Sequence, residues 1–183
     1  DIKAIAKLGK SKGVLTSIDN TFASPVNQNP MDLGIDMVMH SATKYFGGHS
    51  DICAGAVASS KEHIERIWNV GKNLGGSLSD MTVWMLERSM KTLAIRVKAQ
   101  QRNAKKLAKY LYQHDCILNV YYPGLKSHEN HAIAKKQMKG YGAMMSFELK
   151  DHINASSFLN ALTLIKPSMS LAGVESTMLM PSK

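Results

Sequence analysis

Lys44 lies in a polar segment, His40 to Asp51, that follows a short apolar run and also carries hydroxyls and glycines. Ser41 and Thr43 alternate in the sequence, so an extended backbone points both hydroxyls to the same side. Ligands of open α/β folds bind at the carboxyl ends of the strands. An amine beside two hydroxyls at such an end offers partners to a phosphate and to an aldehyde. Hydroxyls at a strand end also commonly cap a turn, and position alone leaves the two interpretations equal.

Asp19 is expected in an equivalent place at the end of an earlier strand. The β-prone run 14–18 is stopped by Asp19, Asn20 and a loop that contains Pro25. If the two strands are neighbours, a carboxylate and the amine of Lys44 face one crevice. Pyridoxal phosphate requires that pair, an amine for the Schiff base and an acid beside the pyridine nitrogen. The simpler interpretations are a turn-capping Asp19 and a surface Lys44.

The first set of elements alternates between helices and strands. We expect an opening helix over residues 1–8, strands near 14–18, 36–41 and 54–59, a helix that begins after Ser60 and is interrupted at Gly71, and a long helix from Ser79 or Asp80 to about Gln113. These elements are the ones that must position Asp19 and Lys44.

A second set of elements begins after Asp115. We expect a strand near 118–121, a turn at Pro123-Gly124, a helix near 129–138, a strand at 143–149, a helix near 154–162 and a strand near 164–170. A fresh run of strands and helices after a long helix predicts a second α/β layer domain. We place the boundary near residue 113, which gives domains of residues 1–113 and 114–183.

The net charge of +9 does not by itself indicate a polyanion partner. Five basic residues fall on one stretch of the long helix: Lys98, Arg102, Lys105, Lys106 and Lys109. Apolar residues follow a helical spacing on its other side: Leu86, Met90, Leu93, Val97, Leu107 and Leu111. This pattern is typical of a solvated helix face, and no aromatic residues are interleaved to stack bases, so we expect no nucleic-acid partner.

Cysteine and histidine usage favours neither a disulfide scaffold nor a metal site. Cys53 and Cys116 are far apart and unpaired in spacing, which favours a reducing, cytoplasmic compartment. His128 and His131 lack a third ligand nearby, so no metal is expected, and His40 and His49 are expected to be structural. No stretch is apolar enough to span a membrane.

Four segments carry a resemblance to a known family. These are Ser17 to Pro25, His40 to Asp51, Tyr122 to Leu125 and Ser170 to Ser176. Their order and spacing over essentially the whole chain resemble the Cys/Met-metabolism enzymes that use pyridoxal phosphate, the trans-sulfuration enzymes. The resemblance implies an α/β fold of the fold-type-I pyridoxal-phosphate transferase type, with residues 1–113 as part of a three-layer αβα cofactor domain and 114–183 as the start of a smaller α/β domain. It also implies a homo-oligomer, a dimer of dimers.

The resemblance assigns roles to six positions. Lys44 matches the lysine that holds pyridoxal 5'-phosphate as a Schiff base and then moves the Cα proton. Asp19 matches the partner of the pyridine nitrogen, Thr21 a residue against the ring, Ser41 and Thr43 the phosphate-binding hydroxyls, and Ser170 part of the clamp for the substrate carboxylate. Met169 stands where γ-type cystathionine enzymes often carry Glu, and Ala172 replaces a more frequent Gly.

The resemblance implies a C–S lyase that eliminates a β- or γ-substituent from cystathionine or a related sulfur amino acid. Within the family the rival is a cystathionine γ-synthase-type transferase. From another class, the rival is an inactive fragment or a non-catalytic assembly module. Because the chain begins at Asp1 in what looks like a helix already under way, we expect it to be the middle of a longer protein and inactive by itself.

Overall fold

The computed structural model describes residues 1–181 of the 183-residue chain. Its helices are α1 Ile2–Ser11, α2 Ser24–Asn27, α3 Lys61–Leu74, α4 Asp80–Met90, α5 Leu93–Tyr112, α6 His131–Gln137 and α7 Ala155–Asn160, with a 3-10 turn at Pro30–Leu33. Its strands are β1 Ser17–Asp19, β2 Met37–Ser41, β3 Gly55–Ser59, β4 Ile117–Tyr121, β5 Ser146–Leu149, β6 Lys166–Pro167 and β7 Thr177–Met178. This is the mixed α/β composition that the sequence predicts.

The first sheet has the order β1-β2-β3. Strands β1 and β2 are parallel neighbours, with Asp19 opposite Met39, whereas β3 runs antiparallel to β2. The predicted strands near 36–41 and 54–59 are confirmed. The start predicted for β1 is wrong, because Val14 closes the end of α1 through its N–H to Gly9 O (3.0 Å) and the strand begins only at Ser17.

Two helix predictions are wrong in an informative way. Helix α3 continues through Gly71 and ends at Leu74. Gly75, with a φ of +75°, caps this end, and its N–H donates to Gly71 O. The long helix predicted from 79 or 80 to 113 is two helices, divided at Lys91 and Thr92. Ser79 caps α4 as expected, accepting from the Thr82 N–H at 3.3 Å.

The second half of the chain is built around α5. Strands β4 and β5 pair antiparallel, and their inner residues share a buried cluster with Ala104 and Ala108 of α5. The strand predicted at 143–149 forms only from Ser146, and the one predicted at 164–170 is reduced to β6, which pairs in parallel with β7.

Helix α5 exposes the five basic residues, as predicted. Its buried stripe differs from the expected one, because Leu107 is 40% exposed and the inward positions are Leu93, Val97, Ala104 and Ala108. Ala104 and Ala108 form the C-terminal part of that stripe, where β4 and Tyr122 pack directly against them. Among the described residues, no helix is both long and apolar enough to cross a membrane.

Candidate active site

Parallel pairing of β1 and β2 brings the two predicted reactive segments to one sheet edge. Asp19 ends β1 and Ser41 ends β2, and the Asn20 N–H donates to Met39 O at 2.9 Å. Just beyond both ends, the Ser41 N–H donates to the hydroxyl oxygen of buried Thr21 at 2.7 Å. The strand neighbourhood on which the sequence prediction depended is therefore present, and Thr21 ties one loop to the other.

The Asp19 carboxylate is kept ionised by its own turn. Its Oδ1 accepts from the Thr21 N–H at 2.9 Å. The hydroxyl of Thr21 is the main cause that lowers the pKa of Asp19, and the Thr21 N–H and nearby His40 act in the same direction while desolvation opposes them. This is the turn-capping arrangement considered from sequence, yet Asp19 remains exposed, so its carboxylate can also be reached by a ligand.

Lys44 projects from a compact series of turns. Its own N–H donates to Ser41 O at 3.0 Å, and its carbonyl accepts from the Gly48 N–H at 2.7 Å. Residues Ala42, Tyr45 and Phe46 are buried around it, whereas Lys44 is half-buried. Within residues 1–181 its amine makes no salt bridge, so it is available for covalent chemistry.

The two predicted phosphate-binding hydroxyls differ in their surroundings. Strand β2 ends at Ser41, so the extended alternation does not continue to Thr43, which lies in the turn. The Thr43 hydroxyl accepts from the Ala54 N–H at 2.9 Å and donates to Ala54 O at 3.3 Å. Thr43 therefore fastens the turn to the segment that leads into β3, as the capping interpretation predicts, and it would have to redirect a long hydrogen bond to reach a phosphate.

The turns over residues 42–48, here called the lysine turn, carry Lys44. The segment around Ser170 lies against the lysine turn although it is more than a hundred residues away in sequence. Leu171 and Ala172 pack on the cluster formed by Ala42, Tyr45, Phe46, Ala54, Leu93 and Val97. The side chain of Gln100 donates to Gly173 O at 2.7 Å, and the Ser50 hydroxyl donates to Glu175 at 3.4 Å. Ser170 is half-buried beside these contacts, and Met169 is 85% exposed.

Ala172 has a φ of +66°. That backbone conformation favours glycine, which is what the resemblance places there more often. Because alanine carries a Cβ, this left-handed backbone is strained at Ala172.

The histidines have structural partners. His40 stacks on Phe46 with ring centroids 4.7 Å apart, and burial lowers the pKa of His40. His49 Nδ1 lies 2.7 Å from Gly47 O and His131 Nδ1 lies 2.7 Å from Pro123 O. Over residues 1–181, no three His, Cys, Asp or Glu side chains form a group that could hold a metal ion.

Sequence reasoning missed Arg96 and Gln100, which both reach the site from α5. Arg96 donates to the carbonyls of Tyr45 and Phe46 in the lysine turn. Its signal was present in the sequence: Arg96 comes three residues after Leu93 and one before Val97, so a helical spacing puts it on the buried face. A charged residue on such a face requires hydrogen-bond partners.

The donor set fits pyridoxal phosphate. The Lys44 amine makes no salt bridge within residues 1–181, the Asp19 carboxylate is ionised, and the Ser41 hydroxyl is half-buried at the end of β2. These are the three kinds of group that the aldehyde, the ring nitrogen and the phosphate require.

Comparison with known proteins gives the same result. The family model for Cys/Met metabolism PLP-dependent enzymes matches residues 1–183. A cystathionine beta-lyase from Lactococcus lactis is 45% identical over 183 residues, covering all of this chain and 48% of that protein. The chain thus spans about half the length of the curated relatives it matches.

Solved structures show the same fold. A cystathionine gamma-lyase from Lactobacillus plantarum, complexed with L-serine, is 44% identical with a TM-score of 0.93, over 96% of this chain and 46% of that one. A cystathionine gamma synthase from Xanthomonas oryzae, in complex with cystathionine, is 40% identical with a TM-score of 0.92 over the same shares. By sequence over its whole length and by fold, this chain belongs to the Cys/Met metabolism PLP-dependent enzymes.

Proposed function

We propose that the protein containing this chain is a pyridoxal-phosphate-dependent C–S lyase that acts by β- or γ-elimination on cystathionine or a related sulfur amino acid. The observation that carries the proposal is the parallel pairing of β1 and β2, which puts the Asp19 carboxylate and the Lys44 turn at one sheet edge. The lyase names of the relatives support the choice of reaction.

The bound cofactor supplies an electron sink for the charge that develops at the substrate Cα. Lys44 would hold the cofactor through its amine and would serve as the general base that takes the substrate Cα proton. Asp19, whose lowered pKa keeps it a carboxylate, would lie beside the ring nitrogen and balance its positive charge. Thr21 orients Asp19 and packs against the ring.

The remaining assignments concern the phosphate of the cofactor and the carboxylate of the substrate. The Ser41 and Thr43 hydroxyls bind the phosphate, Ser41 directly and Thr43 after giving up its bond to Ala54 O. Ser170 contributes to binding of the substrate carboxylate from the segment that Gln100 holds against the lysine turn.

A transferase of the cystathionine γ-synthase type is the second candidate. The Xanthomonas oryzae relative with that name supports it, at 40% identity. Met169 argues against a strict γ-type enzyme, because an apolar side chain gives no counter-charge to the distal amino group of the substrate. A non-catalytic assembly module is disfavoured because the amine, the carboxylate and the hydroxyls are all present.

The organisation of the protein completes the proposal. We assign residues 1–113 to the cofactor domain, supported by the end of α5 at Tyr112, and 114–183 to a second domain. We propose a homo-oligomer, a dimer of dimers, in the cytoplasm. The free thiols of Cys53 and Cys116 are consistent with a reducing compartment.

Replacement of the lysine tests the proposed function. In the complete gene product, Lys44→Ala is expected to abolish the visible absorbance band of the lysine-bound cofactor together with turnover. Lys98→Ala, an exposed lysine of α5, serves as the matched control and is expected to keep both. Retention of the band and full turnover in Lys44→Ala would overturn the proposal.

Product analysis separates the candidate reactions. Cystathionine, methionine, and O-acylhomoserine with cysteine are supplied separately to the complete protein. Homocysteine with pyruvate indicates a β-lyase, cysteine with 2-oxobutyrate indicates a γ-lyase, and formation of cystathionine indicates the transferase. Absence of turnover with every substrate, despite bound cofactor, would favour the non-catalytic module.

A further inference from the structure

Arg96 makes more side-chain hydrogen bonds to the lysine turn than any other residue between 1 and 181. Its Nη1 donates to Tyr45 O at 2.8 Å and its Nη2 to Phe46 O at 3.3 Å. These carbonyls belong to the two residues that directly follow Lys44. They lie in a turn outside any helix or strand, where a buried carbonyl needs a donor from elsewhere in the fold.

The other side of the guanidinium is fixed to the junction between α4 and α5. Nη2 also donates to Ser89 O at 2.9 Å, and Nε donates to the Thr92 hydroxyl at 3.0 Å. Ser89 lies in the last turn of α4 and Thr92 in the two-residue gap before α5, so both acceptors lie at the division of the helix. The division between α4 and α5, which the sequence did not predict, therefore supplies two of the four acceptors of the Arg96 guanidinium.

The turn leaves space for Arg96 at one particular residue. Gly48 has a φ of +71°, and a Cβ placed there would overlap the Arg96 guanidinium. The Gly48 N–H in turn donates to Lys44 O at 2.7 Å. Gly48 thus closes the Lys44 turn on one side and admits the arginine on the other.

Only arginine can make this set of bonds. The planar guanidinium has five N–H donors in a rigid fork, whereas lysine offers a single compact ammonium. Four separate acceptors on two segments require donors that diverge from one plane. Burial lowers the pKa of Arg96. Because a guanidinium group in a protein keeps its proton, these hydrogen bonds are charge-assisted.

We propose that Arg96 is a positioning residue for Lys44, which fixes the turn carrying the reactive amine by binding the carbonyls of Tyr45 and Phe46. The inference rests on the proposed function only for its catalytic consequence. Arg96 itself touches neither cofactor nor substrate. It sets where the Lys44 amine stands, and a misplacement of about 1 Å in such a group can cost on the order of a hundredfold in rate.

The test uses the complete gene product with Arg96→Met, which keeps most of the stem but removes all donors, and Arg96→Lys. The control is Arg102→Met, an exposed arginine of the same helix. Without cofactor, hydrogen exchange of the peptide spanning 42–48 is expected to accelerate in Arg96→Met and not in Arg102→Met. With pyridoxal phosphate, the dissociation constant is expected to rise about 10- to 100-fold, as for other outer contacts that orient a binding group.

A spectroscopic signature separates positioning from general stability. The visible circular dichroism per bound cofactor is expected to weaken in Arg96→Met, because it reports how the ring is held, and to recover partly in Arg96→Lys. The proposal is overturned if Arg96→Met matches the unaltered protein in exchange over 42–48, in cofactor affinity and in visible dichroism. If Arg96→Met does not fold, Arg96→Lys is measured instead. The proposal is then overturned if Arg96→Lys matches the unaltered protein in exchange over 42–48, cofactor affinity and visible dichroism.

The two proposals can fail separately. An unaltered protein that binds no pyridoxal phosphate contradicts the proposed function, and the cofactor-free exchange measurement still decides whether Arg96 holds the turn. A protein that binds the cofactor at Lys44 while Arg96→Met behaves like Arg102→Met contradicts the positioning role alone.

Discussion

The lysine turn and helix α3 are neighbours in sequence but are stabilised in opposite ways. Helix α3 is regular over Lys61–Leu74, is capped at both ends, and buries none of its residues. The lysine turn has no regular structure, yet Ala42, Tyr45 and Phe46 are almost fully buried. Caps at both ends favour α3 locally, whereas the turn also depends on residues brought from α5 and from the segment after residue 170.

The largest expected effect tests the burial of the turn against α5. Leu93 is 8% exposed and packs on Ala42, Tyr45 and Phe46, whereas Ile95 on the same helix is 71% exposed. Leu93→Ala is expected to lower the free energy of unfolding by about 2–5 kcal/mol. Ile95→Ala should change it by less than about 0.5 kcal/mol. Denaturant titration of both variants measures this, and equal losses would contradict the contrast between the two faces.

A pair of glycines compares the two regions directly. Gly48 and Gly75 have nearly the same φ, +71° and +75°, but a Cβ at Gly48 overlaps Arg96 and one at Gly75 meets nothing within 4 Å. Gly75→Ala is expected to cost about 1–2 kcal/mol from the backbone alone. Gly48→Ala is expected to cost about 1.5–3 kcal/mol more, because the charge-assisted bonds of Arg96 are displaced. Thermal unfolding measures both, and a smaller loss at Gly48 would show that Arg96 can move aside.

Two buried tyrosines test how hydrogen bonds contribute around the turn. The Tyr122 hydroxyl donates to Gly142 O at 3.0 Å, whereas the Tyr45 hydroxyl has no partner of good geometry within residues 1–181. Tyr122→Phe is expected to lower stability by about 1 kcal/mol, and Tyr45→Phe to leave it unchanged or slightly raised. Burial raises the pKa of Tyr45, and burial also raises the pKa of Tyr122 to about 12, so measurements near neutral pH compare protonated hydroxyls.

The smallest expected effect concerns pH. Asp36 accepts from the Thr16 N–H and hydroxyl at 2.8 and 2.7 Å, and that backbone bond, followed by the hydroxyl, lowers the pKa of Asp36. A lowered folded-state pKa stabilises the protein above the ordinary carboxyl pKa, and the stabilisation is lost as pH falls through the folded value. Asp36→Asn should therefore lower the melting temperature slightly at neutral pH and flatten its decline in acid. If Asp36→Asn and the unaltered protein lose the same amount of melting temperature as the pH falls, Asp36 does not contribute to the acid dependence of stability.

The difference between the two regions also explains what the sequence could predict. Strands β2 and β3 and the cap at Ser79 follow from local patterns, and they were predicted. The shared edge of Asp19 and Lys44 was predicted only on the condition that their strands are neighbours, and the parallel pairing of β1 with β2 meets that condition. The division of α4 from α5 was not predicted. At the division Ser89 O accepts from Arg96 and from the Thr92 hydroxyl, and the same guanidinium donates to Phe46 O, 50 residues away, a contact that no local pattern indicates.

The same limit applies to single side chains. From position alone the Thr43 hydroxyl could bind a phosphate or cap a turn, and only the family resemblance favoured the phosphate; the fold shows that this hydroxyl fastens the turn to Ala54. In α5 the larger Leu107 is exposed, whereas the smaller Ala104 and Ala108 are buried. Packing against β4 and Tyr122 determines which residues of the helix are buried.

The bond from Gln100 to Gly173 spans 73 residues, and the one from Ser50 to Glu175 spans 125. Synthesis on the ribosome runs from the amino end, so Lys44 leaves the tunnel long before the segment that packs beside it exists. A nascent chain stalled before residue 170 already contains Lys44 but not the segment that packs against the lysine turn. These contacts therefore form late in translation.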